Sequence, residues 1–305
     1  MNQITPFNII KLLVPLDGSR LAESTLPAAM RIASLFAAKI ILLHIREQKA
    51  PSTIHGEKHL SDPAEANRYL QSIAEKLQSD GIAAEWHVHD SMEGDVARSI
   101  IDHANEFHPD LVALCTHGKG GMRDLLFGNI AQQALNLGKW PILLIHPDQW
   151  GMASDFILRN ILIPIDREHD QEASLSVAAA MGDRFSASLR LLAVVPTLET
   201  LSGEKSVPGS LLPVTTRAIL DIAEQEGSEF VETIARNESF AGLDVHTEIL
   251  RGDPVQSVLE YANGSDTDLI ILSSHARTGF SALFSGSFTS RISSKVKCPL
   301  LLVRI

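Results

Sequence analysis

The chain has 305 residues, 45% apolar and 21% charged, with a formal charge of −11. Two domains of about 150 residues each are expected from that length, and each can bury enough surface to stand without disulfides or metals. Residues 1–150 carry 13 cations and 17 anions and residues 151–305 carry 13 and 20, so neither half offers a general nucleic-acid surface.

The first apolar run, "IIKLLVPLD", reads as a strand over about residues 9–15 that ends at Asp17. Further strands are predicted near 40–45, 82–89, 110–115 and 141–145, with helices near 20–36, 62–80, 94–106 and 128–137. Apolar runs without alternation, separated by helical patterns, imply a parallel sheet covered on both faces. Aromatic residues are scarce at 5%, in keeping with a Leu-, Ile-, Val- and Ala-rich core. No apolar run is long enough to span a membrane. The start of the chain reads directly into a strand rather than a cleavable leader. Cys115 and Cys298 sit in or beside apolar runs, so no disulfide framework is indicated and the cytoplasm is the expected compartment.

The pattern then repeats. "DLVALCTHGKGGMRDLLFGN" (110–129) matches "DLIILSSHARTGFSALFSGS" (268–287), "EGDVARSIIDHA" (93–104) matches "RGDPVQSVLEYA" (251–262), and "WPILLI" (140–145) matches "CPLLLV" (298–303), all at an offset of 158. The strand-ending aspartates, Asp17 and Asp166, differ by 149, so the second half carries nine extra residues, placed most simply around 197–214. The expected domains are 1–147 and 157–305, joined by a linker over 148–156. Each is expected to be a doubly wound, five-stranded parallel α/β sheet whose ligand crevice lies at the carboxyl ends of the strands, where strand order reverses. Asp17 and the loop "CTHGKGG" belong at that crevice.

The glycines of that loop let backbone N–H groups approach a ligand, and the helix expected after Gly128 begins with unpaired N–H groups and a partial positive charge. Phosphate suits such a place. A tight strand–helix turn with glycines at its corners would read the same way, and Lys119 and Arg123 serve either a ligand or solvent. Neither a Walker A motif nor G-x-G-x-x-G occurs.

"VPLD" and "IPID" ending the first strands, "EGD" and "RGDP" after the third, and the loop after the fourth make the chain resemble the universal stress protein family, as a tandem member. The resemblance covers nearly the whole chain. It implies a Rossmann-like fold of the adenine nucleotide alpha hydrolase-like kind and ATP or a related adenine nucleotide as ligand. ATP-binding members carry G-x-x-G, nine residues, then G-S or G-T. Here Cys115, Thr116, His117 and Gly118 are followed by nine residues, then Gly128 and Asn129. The second half has Ser273, Ser274, His275, Ala276, nine residues, Gly286 and Ser287.

By the resemblance Asp17 meets the adenine or ribose edge and Gly118, Gly128, Asn129 and Ile130 surround the phosphates. Pro15, Leu16, Ile45, Leu114 and Cys115 line the same crevice. Asp166, Gly286, Ser287 and Phe288 are the second-half counterparts. Cys115 places a side chain where ribose would pass, but the first half keeps two of the three glycines while the second, with Ala276, keeps only the last, so the first half is expected to be the better nucleotide site. His117 and its counterpart His275 are expected to brace the loops by hydrogen bonding. The resemblance also implies that the apolar final strands, "PILLI" and "PLLLVRI", pair with one another as an internal pseudo-dimer, with homodimerisation of whole chains an open extension.

Nine of the twelve histidines lie in residues 1–150. His55 and His59 would share a face if their segment were helical, and His87 and His89 share one face of the third strand. All four could converge as a site for zinc, nickel or copper, or could simply be solvated. No set of metal ligands, positioned nucleophile and charge clamps for phosphoryl transfer is evident. The expected role is thus a nucleotide-binding stress protein that needs no catalysis, with slow ATP hydrolysis left open. The alternative is an interaction module without nucleotide, working through protein partners or a His-bound metal ion.

Overall fold

The computed structural model describes residues 4–47, 53–54, 57–58, 60–116, 138–146, 156–167, 171–195, 197, 213–274, 288–293 and 295–304. The chain forms two compact units, one of Asn8–Ile157 with Pro299–Arg304, the other of Leu158–Cys298 with the start of the chain up to Phe7.

The first unit runs β1 (Lys11–Pro15), α1 (Arg20–Glu23), α2 (Leu26–Phe36), β2 (Lys39–Glu47), β3 (Thr53–Ile54), β4 (Glu57–Lys58), α3 (Pro63–Ser79), β5 (Ala84–Glu93), α4 (Val96–Phe107), β6 (Leu111–Cys115) and β7 (Ile142–Ile145). Its main sheet has the order β7-β6-β1-β2-β5, with every one of these pairs parallel. Leu12, Leu13, Val14, Ile40, Leu42, Leu43, Ala113, Leu143 and Leu144 are all buried, as apolar runs covered on both faces require. Near "IHGEKHL", Thr53–Ile54 and Glu57–Lys58 pair antiparallel as β3 and β4. His55 and His59 themselves lie outside the described residues.

The second unit runs β8 (Asn160–Ile165), α5 (Glu172–Phe185), β9 (Ser188–Val195), α6 (Pro213–Ala235), β10 (Val245–Arg251), α7 (Pro254–Gly264), β11 (Leu269–Ser274) and α8 (Phe288–Ser293). Its strands are parallel in the order β10-β9-β8-β11. The final strand, β12 (Leu300–Arg304), pairs antiparallel with β7, matching Leu300 with Leu144, Leu301 with Leu143 and Leu302 with Ile142. Arg304 also donates to the Gly138 carbonyl. At the other end of the chain, Ser176 Oγ donates to the Thr5 carbonyl, and Ile4 is buried.

Local devices repeat with the sequence. Asp95 caps α4 by accepting from Arg98 N at 3.0 Å, and Asp253 caps α7 by accepting from Gln256 N at 2.9 Å, so the aspartates of "EGD" and "RGDP" work as N-caps. Ala37 and Ser186, 149 residues apart, both close helices in the left-handed region, at φ 53° and 51°. Asp110 Oδ2 accepts from Ile10 N at 2.8 Å and Lys11 N at 2.9 Å; Asp268 Oδ2 does the same for Arg159 N and Asn160 N, at 2.7 and 2.9 Å. Each carboxylate ties the strand it precedes to the start of the neighbouring first strand. These bonds to a charged acceptor are worth about 1.5–3 kcal/mol each.

Candidate functional site

β1 and β6 are adjacent and parallel, yet the chain leaves β1 toward β2 on one side and reaches β6 only after β5. Strand order reverses between them, and their carboxyl ends bring Asp17 near Cys115, at the place where sheets of this kind form a ligand crevice. Pro15, Leu16, Ile45 and Leu114 lie at the same ends, with Leu16, Ile45 and Leu114 buried.

Asp17 opens a tight turn. Its Oδ1 accepts from Ser19 N at 2.9 Å and from Ser19 Oγ at 2.6 Å. Ser19 Oγ in turn accepts from Ala22 N at 3.1 Å, capping α1. Gly18 between them has φ +89°, and a Cβ there would lie 2.6 Å from Leu60 Cδ1. The buried Leu60 therefore packs directly on this turn.

His44, buried in β2, bridges the end of β1 and the segment before α3: its Nδ1 is 2.8 Å from the Leu16 carbonyl and its Nε2 is 3.0 Å from the Leu60 carbonyl. Sequence reasoning passed over His44; the available signal was a lone polar side chain inside the apolar run "IILLHI". Thr116, just beyond β6, is likewise buried, with N–H donating to the Ile145 carbonyl at 2.8 Å and Oγ1 lying 3.0 Å from His146 Nδ1. The turn is thus braced by buried polar groups, which leaves little freedom at the strand ends.

The Cys115 thiol is pushed up to about 12, first by burial and then by the nearby negative charge of Asp17; burial does the same for Cys298, with Asp268 adding to it. Both are neutral thiols at physiological pH, not nucleophiles. At pH 8 a disulfide reagent should label neither promptly, and unfolding in guanidinium should release both to an ordinary value near 8.5, with labelling faster by at least about tenfold. Prompt labelling of the native chain would contradict this assignment.

The second unit differs at the matching positions. Asp166 is exposed beyond β8. Arg167 stands where the first half has Gly18, and its guanidinium pairs with Glu226. Ser273, the counterpart of Cys115, shares a 2.7 Å hydrogen bond with Ser174 Oγ of α5. The Asp–Gly–Ser turn of the first unit has no equivalent in this sequence. Phe288 is the first residue of α8. Gly118, Gly128, Asn129 and Ile130, with Lys119, Arg123 and His117, lie outside the described residues, as do Gly286, Ser287, His275 and Ala276.

Of the four histidines expected to converge, the structure brings together His87 and His89 on β5, and with them His103 of α4. Trp86, on the opposite face of β5, donates from Nε1 to Asn67 Oδ1 of α3 at 2.7 Å.

A doubly wound parallel sheet with a carboxylate closing its first strand, set across the reversal point from the fourth, defines an open α/β ligand-crevice domain, built twice from one ancestral pattern. The Universal stress protein family profile matches residues 9–146 and 158–304, and the chain belongs to that family. A universal stress protein of Mycolicibacterium smegmatis is 25% identical over 309 residues, covering 96% of both chains. The stress response protein NhaX of Bacillus subtilis is 32% identical over 164 residues, 46% of this chain and 99% of its own. Among solved structures, a universal stress protein from Archaeoglobus fulgidus superposes with a TM-score of 0.68 at 17% identity, over 96% of this chain and 98% of that one. Among the described residues, no helix is long and apolar enough to cross a membrane.

Proposed function

We propose that the N-terminal domain binds ATP or a related adenine nucleotide as a regulatory ligand, with no catalytic turnover. The observation that supports this reading is the position of Asp17: its carboxylate is held by Ser19 just past β1 and lies near Cys115 at the end of β6, across the strand-order reversal where open α/β sheets take their ligands. In that crevice the carboxylate accepts hydrogen bonds from a ribose or adenine edge, and the glycine-rich loop supplies N–H groups to phosphate. The Cys115 thiol beside the crevice is neutral, and the braced turn offers no activated nucleophile, which favours a binding role. The ligand acts by differential affinity, favouring one conformation or assembly of the chain over another. The exposed Asp166, with Arg167 beside it, makes the second domain the poorer nucleotide site.

Calorimetric titration of the full chain with ATP tests the reading. The expected result is one nucleotide per chain, with Asp17→Ala weakening affinity at least about tenfold, equivalent to ~1.4 kcal/mol, and Asp166→Ala leaving it unchanged. The absence of heat at millimolar nucleotide would overturn it and favour an interaction module without nucleotide.

A further inference from the structure

The "EWHVHD" stretch alternates across β5, so Trp86 turns toward α3 while His87 and His89 face α4. On α4, His103 and Phe107 are one turn apart and share the face toward those rings. His87 and His103 have ring centroids 5.0 Å apart, and His89 and His103 stand 4.8 Å apart, nearly perpendicular. Candidate donor nitrogens of all three lie within 4.8 Å of one another.

The buried member is already oriented. His103 Nδ1 lies 2.7 Å from the Ser99 carbonyl, which can only accept, so the proton sits on Nδ1 and Nε2 presents its lone pair. That Nε2 is 3.2 Å from His89 Nδ1. A backbone carbonyl fixing the outer nitrogen of an imidazole is the usual support of a metal-bound histidine. Two nitrogens on one tetrahedral zinc ion, each at about 2.0–2.1 Å, stand roughly 3.3 Å apart. One pair already meets that spacing, and the widest pair closes by about 1.5 Å through side-chain rotation. Phe107 walls the cluster, its ring 5.5 Å from His87 and 5.7 Å from His103.

We propose that His87, His89 and His103 form a zinc site that straps α4 to the edge strand β5, with water or an anion as fourth ligand. Three neutral imidazoles select a borderline transition ion such as Zn²⁺ over the oxygen-seeking Mg²⁺ and Ca²⁺. The site is separate from the Asp17 crevice and does not depend on nucleotide binding. It is also particular to the first repeat: the offset of 158 places Val245, Thr247 and Tyr261 at the three positions in the second, and none of them is a zinc ligand of this type. The set differs from the sequence-derived one because His103 enters from a helix 14 residues beyond His89.

The test is competition for zinc between the EDTA-stripped full chain and a chromogenic chelator, with zinc sulfate as the metal source. Saturation at one tight zinc per chain is expected, accompanied by a rise in Tm on adding zinc. His103→Gln and His87→Ala should each weaken that site at least about tenfold while leaving the zinc-free Tm close to the parent value. His87→Ala, on the strand edge, reports on the site even if the buried position proves sensitive to folding. Cobalt substitution should give the intense visible bands of a tetrahedral centre, lost in the His87→Ala/His89→Ala/His103→Gln variant. No saturable zinc site in the parent, or an equally tight one in the triple variant, would overturn the proposal.

Discussion

Gly18→Ala is expected to lower the stability of the N-terminal unit by about 2–5 kcal/mol, combining left-handed backbone strain with overpacking. The positive φ of +89° is one half of the cause, and the 2.6 Å approach of a new Cβ to Leu60 is the other. Leu60 has little room to give way: it is buried, and its carbonyl is 3.0 Å from His44 Nε2. Gly81 supplies the control, because its φ is +79° and nothing lies within 4 Å of a Cβ built there. Gly81→Ala should therefore cost only the backbone strain, about 1–2 kcal/mol. Urea unfolding of both variants separates the two effects, and Leu60→Ala added to Gly18→Ala should recover part of the loss. Equal costs at the two glycines would show that the Leu60 contact carries no weight. The consequence reaches the candidate site, because the same turn sets Asp17 and Ser19 in place.

Removal of residues 299–305 should have the second large effect. Leu300, Leu301, Leu302 and Val303 are each at most 3% exposed. Burying four such side chains contributes roughly 6–12 kcal/mol as an upper estimate. The deletion also strips β7 of its antiparallel partner and leaves an apolar edge, "ILLI", open to pairing. The truncated chain should melt well below the parent and show concentration-dependent association in sedimentation velocity. A peptide with the sequence of residues 299–305 should compete with that association by adding to the same edge. Leu301→Ala should show the packing part alone, about 2–5 kcal/mol. Truncation with unchanged Tm and unchanged sedimentation would refute the role given to this strand.

Much of the first unit was legible because buried parallel strands announce themselves as unbroken apolar runs. "KLLVP", "KIILLHIRE" and "LVALC" coincide with strands at nearly the expected residues. The duplication and the place of Asp17 at a strand end followed from the repeat pattern, and the family from the resemblance carried by "VPLD", "EGD" and their second-half counterparts. The extra hairpin of β3 and β4 did not, since two-residue ladders carry no period to read. The buried His44 bridge was equally hidden, because its two carbonyl partners lie 28 and 16 residues away.

The sequence by itself thus determined the repeated α/β architecture and the residues that end each first strand, since local hydrophobic pattern decides where strands begin and stop. It also paired His87 with His89, because strand geometry fixes their common face. Only the tertiary structure decided that His103 completes that pair, that Leu60 covers Gly18, and that β12 meets β7 antiparallel in the register that sets Leu301 against Leu143. Those are contacts between segments far apart in the chain, and they are set by how helices and strands pack, which no local period encodes.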